Sequence, residues 1–428
     1  LEEVEVSLSD CILDFVPYKE NSLKVTVPDD FFSMLEDFQV TISSCLAAGT
    51  FFMARVLHID SLLKKATELF EAVLLVQKRW IYLENIFQGA GDISEQLPLE
   101  SEKFSEVNED VSRIILQLRE QENLHAILNC YEISIQKLHY TLSQMEEIQA
   151  SLNKYLESKR SRFPRFYFIS DDDLLEMIGR SEDPHLIQKY VKKCFEGIHT
   201  LRLQLEPKGN SSWIALGGDS KDGESIMFDK PVTIAGSIEE WLERVLIQMN
   251  ATMKTNLENA FKDRKALKPH EWVPKWQGQL LITSGALAYT KRCERALAAI
   301  KSGKDKNALR ALRKKYVSFL RRLTEIVRSG DVDATNRSKV VALITTEIHN
   351  RDVIEKMIRS SCRDPTEFLW TSQLRYFLNE GGFCEVHQNT YNLDFGYEYQ
   401  GNNGRLVITP LTDRCVLTML TALSLHRG

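Results

Sequence analysis

Leu138, Leu142, Met145, Leu152 and Leu156 recur at near-heptad spacing. That period constrains the fold more than any other feature, because it lines one face of a helix with apolar side chains that another helix must cover. The same period runs through Leu62, Ala66, Leu69 and Val73, with Leu63, Phe70 and Leu74 beside them. It continues along LLVQKRWIYLENIF at 74–87. From about 108 to 160 the pattern reads as one long helix. A free coiled coil needs about three or four clean heptads, so helices within bundles are the reading. The 428 residues, 43% hydrophobic and 27% charged, suffice for roughly two to four packed units.

Phe163-Pro164 breaks the helical pattern, and RFYFIS at 165–170 is too aromatic and β-prone to continue it. Ser170 then caps a new helix, with Asp173 three residues on and Gly179 at its end. Asp183-Pro184 opens the next, an N-cap followed by proline at the first helical position, and it closes near Gly197. Between 201 and 234 the pieces LRLQLEP, WIAL and ESIMF are strand-like. Turn residues in GGDSKDGE at 217–224 predict a β-hairpin over 213–228. Ser237 and Glu240 predict a capping box for a helix through about Phe261. Beyond Pro269 and Pro274 helices resume to about Ser361. GYEYQGNNGRLVITPLTDRC at 396–415 joins a Gly/Asn turn to a β-branched run, and predicts a β-containing tail. Near the start, LKVTV at 23–27 alternates, and a helix is expected from Asp30. The predicted class is mostly α: serial helical bundles with a small inserted β-hairpin and a short β-containing C-terminal tail. No repeat of about 20–50 residues is evident.

The net charge of −6 argues against generic polyanion binding, so no nucleic-acid partner is expected. No uncharged apolar stretch reaches the roughly 18 residues of a membrane helix, so no membrane partner is expected either. The eight cysteines, at 11, 45, 130, 194, 293, 362, 384 and 415, form no CxxC or Cys/His cluster. Free thiols in a reducing compartment, and no metal site, follow. The opening LEEVEVSLSD has neither Met nor a basic-then-apolar leader, so the chain is expected to be part of something longer.

A phosphate loop needs GxxxxGK[ST], because glycines let backbone N–H groups reach phosphates and lysine neutralises them. The nearest candidate, SGKD at 302–305, has Ala298 in place of the first glycine and Asp305 in place of the hydroxyl, within a stretch expected to be helical. GxSxG, HExxH and GxGxxG do not occur. Asp171-Asp172-Asp173 offers carboxylates to a cation, but the dipole at a helix start favours such residues without one. From Lys301 to Arg322 nine Lys/Arg stand against one acid, Asp305. The only aromatics there are Tyr316 and Phe319, which gives no stacking platform for bases. A solvated helix face or a docking surface for an acidic protein remains. Trp80, Tyr82, Phe87, Trp241, Trp272, Trp276 and Trp370 are expected core anchors. No catalytic residue can be named from spacing.

WIYLENIF (80–87), DISEQLPLESEKF (92–104), YLESKRSRFPRFYFISDDDLLEMIG (155–179), WQGQLLIT (276–283), EIHNRDVIEKM (347–357), FLWTSQLRYF (368–377) and the 396–415 stretch carry a resemblance. Together and in this order they resemble the linker of dynein heavy chains running into the first AAA+ module. The match spans about 74–428, and residues 1–73 fit the start of the same region. Asn85 stands where the family usually has proline, which should soften a turn there.

The resemblance implies an elongated array of helical bundles arching over an AAA+ ring. It would be the mechanical lever of a microtubule motor, bending and straightening to give the ATP-driven power stroke. The implied parts are an N-terminal half of the linker at 1–160, a hinge region at 161–240, a C-terminal half at 241–390, and the start of the first AAA+ module at 391–428, stopping before the phosphate loop. Leu406, Val407, Ile408, Pro410 and Thr412 would line the adenine side of the nucleotide site in the full motor. ATP or ADP with Mg would be cofactors of that motor, and none is assigned to this stretch alone. Implied partners are the chain's own AAA+ ring, the microtubule, and intermediate and light chains bound through an upstream tail. Location would be cytoplasm and cytoskeleton, with the hairpin and tail spelling favouring the axoneme of a cilium or flagellum. Lys314, Lys315, Arg321 and Arg322 are the candidate ring-docking side chains. A helical protein-binding scaffold with no motor role would share the bundles but has no reason to carry the GYEY…TPLTDRC tail. An intact ATPase would need a phosphate loop.

Overall fold

The computed structural model describes residues 4, 6–7, 13–19, 22–28, 30–49, 52–88, 93–121, 124–129, 134–180, 183–206, 212–330, 332–402 and 406–427. The chain divides into two compact units, Leu1–Arg180 and Ser181–Gly428. The class is mostly α, with small antiparallel sheets.

In the first unit β1 (Asp14–Lys19) and β2 (Ser22–Thr26) pair antiparallel, Phe15 opposite Val25. Helices follow: α1 (Phe31–Ala48), α2 (Met53–Phe87), α3 (Ile93–Gln96), α4 (Pro98–Glu120), α5 (Leu124–Asn129), α6 (Ile135–Arg162) and α7 (Asp171–Gly179). The α2 helix extends for 35 residues because its apolar side chains keep the helical period, from Val56, Ile59 and Leu63 to Trp80, Leu83 and Phe87, all buried. It packs on α1, α4 and α6. Trp80 Nε1 donates to Asn108 Oδ1 of α4 at 2.8 Å, and the Phe87 ring stacks on Phe104 with centroids 5.3 Å apart. No turn forms at Asn85: the helix continues through it, and its side chain accepts from the Tyr18 hydroxyl at 3.4 Å.

The heptad residues Leu138, Leu142, Met145, Leu152 and Leu156 are buried along α6, as their spacing requires. The single helix expected over 108–160 is two, α4 and α6, with α5 between them. Both keep an apolar stripe, so the period by itself does not locate the break. Pro164–Phe168 forms a 3-10 turn after α6, and Ser170 caps α7 as expected, its Oγ accepting from the Asp173 N–H.

The second unit begins with α8 (Pro184–Cys194), where Asp183 accepts from the His185 N–H at 2.9 Å; it ends before the expected Gly197. Next come β3 (Thr200–Leu205), β4 (Trp213–Asp219) and β5 (Ser225–Ile234) in one antiparallel sheet of order β3-β4-β5. The expected hairpin is β4–β5, and β3 adds a third strand. Gln188 of α8 bonds both backbone groups of Leu201 at 2.8 Å, which ties β3 to the helix.

The remaining elements are α9 (Ile238–Ala266), α10 (Pro269–Lys275), α11 (Gly278–Lys301), α12 (Ala308–Ser329), α13 (Ala334–Arg359), α14 (Phe368–Thr371), β6 (Arg375–Leu378), β7 (Cys384–Gln388), β8 (Tyr391–Asp394) and α15 (Pro410–Ser424). The capping box expected at Ser237 does not form. The Glu240 N–H bonds the Ser237 carbonyl at 3.1 Å, and Ser237 Oγ makes no capping bond. SGKD lies in the turn between α11 and α12, not inside a helix, with Gly303 at φ +74°. The tail's strands are β6–β8, and 406–409 joins no sheet. A β-branched run needs a neighbouring strand for its backbone groups, and among the described residues none lies beside it. Asn403, Gly404 and Arg405 of the expected turn and run lie outside the described residues.

Tyr289, Leu297, Leu312, Tyr316, Ile354 and Trp370 centre one core of α11–α13, and Trp272, Leu281, Leu323 and Leu343 centre another. Of the expected anchors, Trp80, Phe87, Trp241, Trp272 and Trp370 are buried, while Tyr82 and Trp276 are half-buried. No disulfide joins the described cysteines 45, 194, 293, 362, 384 and 415, and burial pushes the Cys384 thiol up to about 12.

Between the two cores lies an enclosed ion pair. Arg264 Nη2 meets Glu347 Oε1 at 2.8 Å, with side chains 4% and 0% exposed, and Asn350 Nδ2 donates to the other carboxylate oxygen at 3.1 Å. Glu347→Ala leaves the guanidinium charged and unpaired in the interior, and should cost about 3–5 kcal/mol. Arg264→Met added to Glu347→Ala should restore much of that loss. Urea unfolding followed by circular dichroism measures both.

Candidate functional site

Tyr397–Asn402, which follows β8, is held by close approach against Gly197, between α8 and β3, and against the start of α11. A Cβ on Gly197 would meet the Tyr399 carbonyl oxygen at 2.1 Å, and one on Gly278 would meet Asn402 Oδ1 at 2.4 Å. Only glycine leaves that room. Gln279 of α11 donates to the Glu398 carbonyl and accepts from the Gln400 N–H, both at 2.8 Å. Asn402 Nδ2 reaches Ser338 Oγ of α13 at 3.0 Å.

At the centre is Glu224, from the turn between β4 and β5 and almost wholly buried. Its Oε1 accepts from the Gly278 N–H at 2.8 Å, at the positive end of the α11 dipole. Its Oε2 accepts from the Tyr399 hydroxyl at 2.9 Å. Lys339 Nζ of α13 lies 3.5 Å from Oε1 and donates to the Trp276 carbonyl at 3.1 Å. Burial first, and the Glu224 charge second, raise the Tyr399 phenol well above its ordinary pKa, so it remains a donor. One carboxylate thus joins the β-sheet, α11, α13 and the tail.

A cavity of about 290 Å³ opens beyond this joint. Ile282 and Tyr289 of α11, Thr346 and His349 of α13, and Leu406, Ile408, Thr412 and Asp413 of the tail are among its lining. Three of the five residues expected on an adenine side are therefore brought together. Val407 is 67% exposed, and neither it nor Pro410 lines the cavity. Pro410 begins α15, where Thr409 and Thr412 exchange capping bonds of 3.3 Å. His349 Nε2 stands 4.0 Å from Asp413 Oδ1. Burial lowers its pKa most, Lys356 lowers it further, and Asp413, Asp352 and a bond with Gln373 oppose them.

The basic run is divided by structure. Lys301 pairs with Asp364 at 2.6 Å and Arg313 with Glu355 at 2.8 Å. Lys314, Lys315, Arg321 and Arg322 are exposed on α12. They form two stripes, since residues seven apart share a helix face. Lys315 and Arg322 line a groove of about 670 Å³ that also takes Arg264, Arg292 and Arg295; Lys314 and Arg321 do not. In the first unit, Asp171 of the acidic triplet pairs with Arg160, and Asp173 accepts from the Ser170 hydroxyl at 2.7 Å.

Sequence reading missed Glu224, Lys339 and Tyr399, and the three groove arginines outside the 301–322 run. Glu224 looked like one more turn residue in GGDSKDGE. The burial of a charged residue was its only signal, and spacing does not report burial.

Residues 1–260 match the profile of the family described as dynein heavy chain, N-terminal region 2. Residues 395–428 match that of the hydrolytic ATP binding site of the dynein motor region. The chain is 42% identical over 419 residues to the dynein-1-beta heavy chain, flagellar inner arm I1 complex, of Chlamydomonas reinhardtii, covering 97% of this chain and 9% of that one. Human dynein axonemal heavy chain 2 is 40% identical over 431 residues, at 97% and 10% coverage. The cytoplasmic dynein heavy chain of Dictyostelium discoideum is 32% identical over 440 residues, at 97% and 9%. The chain thus spans 9% to 10% of the length of these relatives.

Tyr399→Phe removes one donor from a buried carboxylate and should cost about 1–3 kcal/mol. Lys339→Met removes the counter-charge and should cost about 3–5 kcal/mol. Hydrogen exchange over 397–402 should speed up in both variants, and unchanged protection would refute the role given to Glu224. The lowered pKa of His349 means that the unfolded chain binds its proton more tightly. Stability should therefore fall as pH drops below the ordinary histidine value of about 6.5. In His349→Gln, melting temperature should depend less on pH across that range.

Proposed function

The chain belongs to the dynein heavy chain family, and from that premise we propose that it is the linker of an axonemal motor, a jointed lever running into the first AAA+ module. It bends and straightens over the AAA+ ring as the first module turns over ATP, and the straightening is the power stroke. Residues 1–160 and 241–390 are the two halves of the lever, 161–240 contain the joint, and 391–428 begin the ATPase module.

A lever needs stiff segments and one compliant place. Stiffness comes from close-packed helical cores. One observation carries the reading: the Glu224 cluster ties the tail and the β3–β5 sheet to the second unit, while the division at Arg180/Ser181, inside 161–240, is where the bend is proposed. A push on the ATPase end would then reach the helices of the second unit without loss in a loop.

In the full heavy chain ATP or ADP with Mg is the cofactor. Leu406, Val407, Ile408, Pro410 and Thr412 are assigned to the adenine side, with Leu406 and Ile408 offering the base apolar surface in the cavity. The phosphates need a glycine loop, which this sequence lacks. Lys314, Lys315, Arg321 and Arg322 meet acidic ring surface in one of the two lever states. Nucleotide can bias the bend only through such a difference in contacts. Further partners are the microtubule, through the whole motor, and intermediate and light chains on an upstream tail. The location is the axoneme of a cilium or flagellum, in keeping with the axonemal relatives.

The test uses the full heavy chain, with dyes at exposed Leu116 and Ile247, one in each unit. Energy transfer should differ between nucleotide-free and ATP-bound motors; equal transfer in every nucleotide state would overturn the lever. Reversing Lys314, Lys315, Arg321 and Arg322 to Glu should slow microtubule gliding more than basal ATP turnover. Equal loss of both would count against ring docking.

A further inference from the structure

The groove beside α12 carries more positive charge than its own acids answer. Arg264, Arg292, Arg295, Lys315 and Arg322 line it with a single carboxylate, Asp305. On a chain of net charge −6 this is a local excess of the opposite sign. Arg292, Arg295, Lys315 and Arg322 are exposed, and none of them makes an ion pair among the described residues. Arg264 is different. It is 4% exposed and engages Glu347 through Nη2, but its Nε has no hydrogen-bond partner among the described residues. A second hollow, of about 230 Å³, shares Arg264, Arg292 and Arg295 and adds Lys265 and Lys291, so the basic surface continues along α9 and α11.

Two observations select the class of ligand. The Arg264 guanidinium lies over the Trp272 and Phe319 rings, 5.6 and 5.0 Å from their centroids, so these rings are already engaged and do not offer a platform for bases. Leu267, Ala299, Ala311 and Leu312 give the groove an apolar floor between its cations. Apolar surface beside paired cations suits a peptide with carboxylates and small apolar side chains better than bare phosphate. Lys315 and Arg322 lie two turns apart along one stripe of α12, on the order of 10 Å, which spans about three residues of extended chain.

We infer that this groove is a docking site for an extended, carboxylate-rich peptide segment of a partner protein. The inference goes beyond the lever reading and does not need it: Lys314 and Arg321 take no part, and binding occurs whether or not the lever bends. The probe is a short fluorescein-labelled peptide of repeating Glu-Ala-Glu-Leu, titrated into this chain and followed by anisotropy. Binding should weaken with salt. Arg292→Glu/Arg295→Glu and Lys315→Glu/Arg322→Glu should each weaken it by about tenfold or more. Lys314→Glu/Arg321→Glu, the same change in net charge on the other stripe, should alter it by less than about twofold. All six positions are exposed, and far-ultraviolet circular dichroism confirms that each variant is folded. No binding by the parent chain overturns the proposal. So does equal weakening in all three variants, or tighter groove-dependent binding of a single-stranded oligonucleotide or of phosphatidylserine vesicles. None of these outcomes bears on the energy-transfer test of the lever.

Discussion

A charged carboxylate in a protein interior is tolerable only when its charge is paired and both of its oxygens accept hydrogen bonds. Glu224 meets that condition through the Gly278 N–H, the Tyr399 hydroxyl and the Lys339 ammonium, each from a different part of the second unit. Remove one and the others no longer balance the cost of burial. The four elements therefore assemble as a set. The glycines follow from the same constraint, since the tail can reach Glu224 only by passing within contact distance of the Gly197 and Gly278 backbones.

The joint also decides what lies beyond it. Tyr397–Asn402 is anchored there, and beside α11 and α13 the residues Leu406, Ile408 and Thr412 line one cavity. The α15 helix has no buried residue, with Leu411, Met419 and Leu423 exposed on it. The second unit thus combines a closely tied polar joint with an open apolar helix next to it.

The α12 helix divides its labour by face. Leu309, Leu312, Tyr316, Leu320 and Leu323 are buried against its neighbours. The outward charges fall into two stripes, one facing the groove and one facing solvent. Arg264 and Glu347 show the other fate of charge in this unit: enclosed, paired and packed under aromatic rings.

Much of this was legible without coordinates. Periodicity located α2 and α6, local capping chemistry located the starts of α7 and α8, and the ordered motif strings identified the family. These are properties of residues within a turn or two of each other, and the chain carries them wherever it goes. The failures were of another kind. The Ser237 box yielded to a backbone bond, the 406–409 run has no strand beside it among the described residues, and α4 and α6 shared one uninterrupted pattern. Glu224 and Tyr399 are 175 positions apart in the chain. Local spacing determined which segments are helices and which family they spell. Only tertiary packing decided which charges would be buried opposite one another, because the energy of a buried ion depends on distances through space that no interval along the chain encodes.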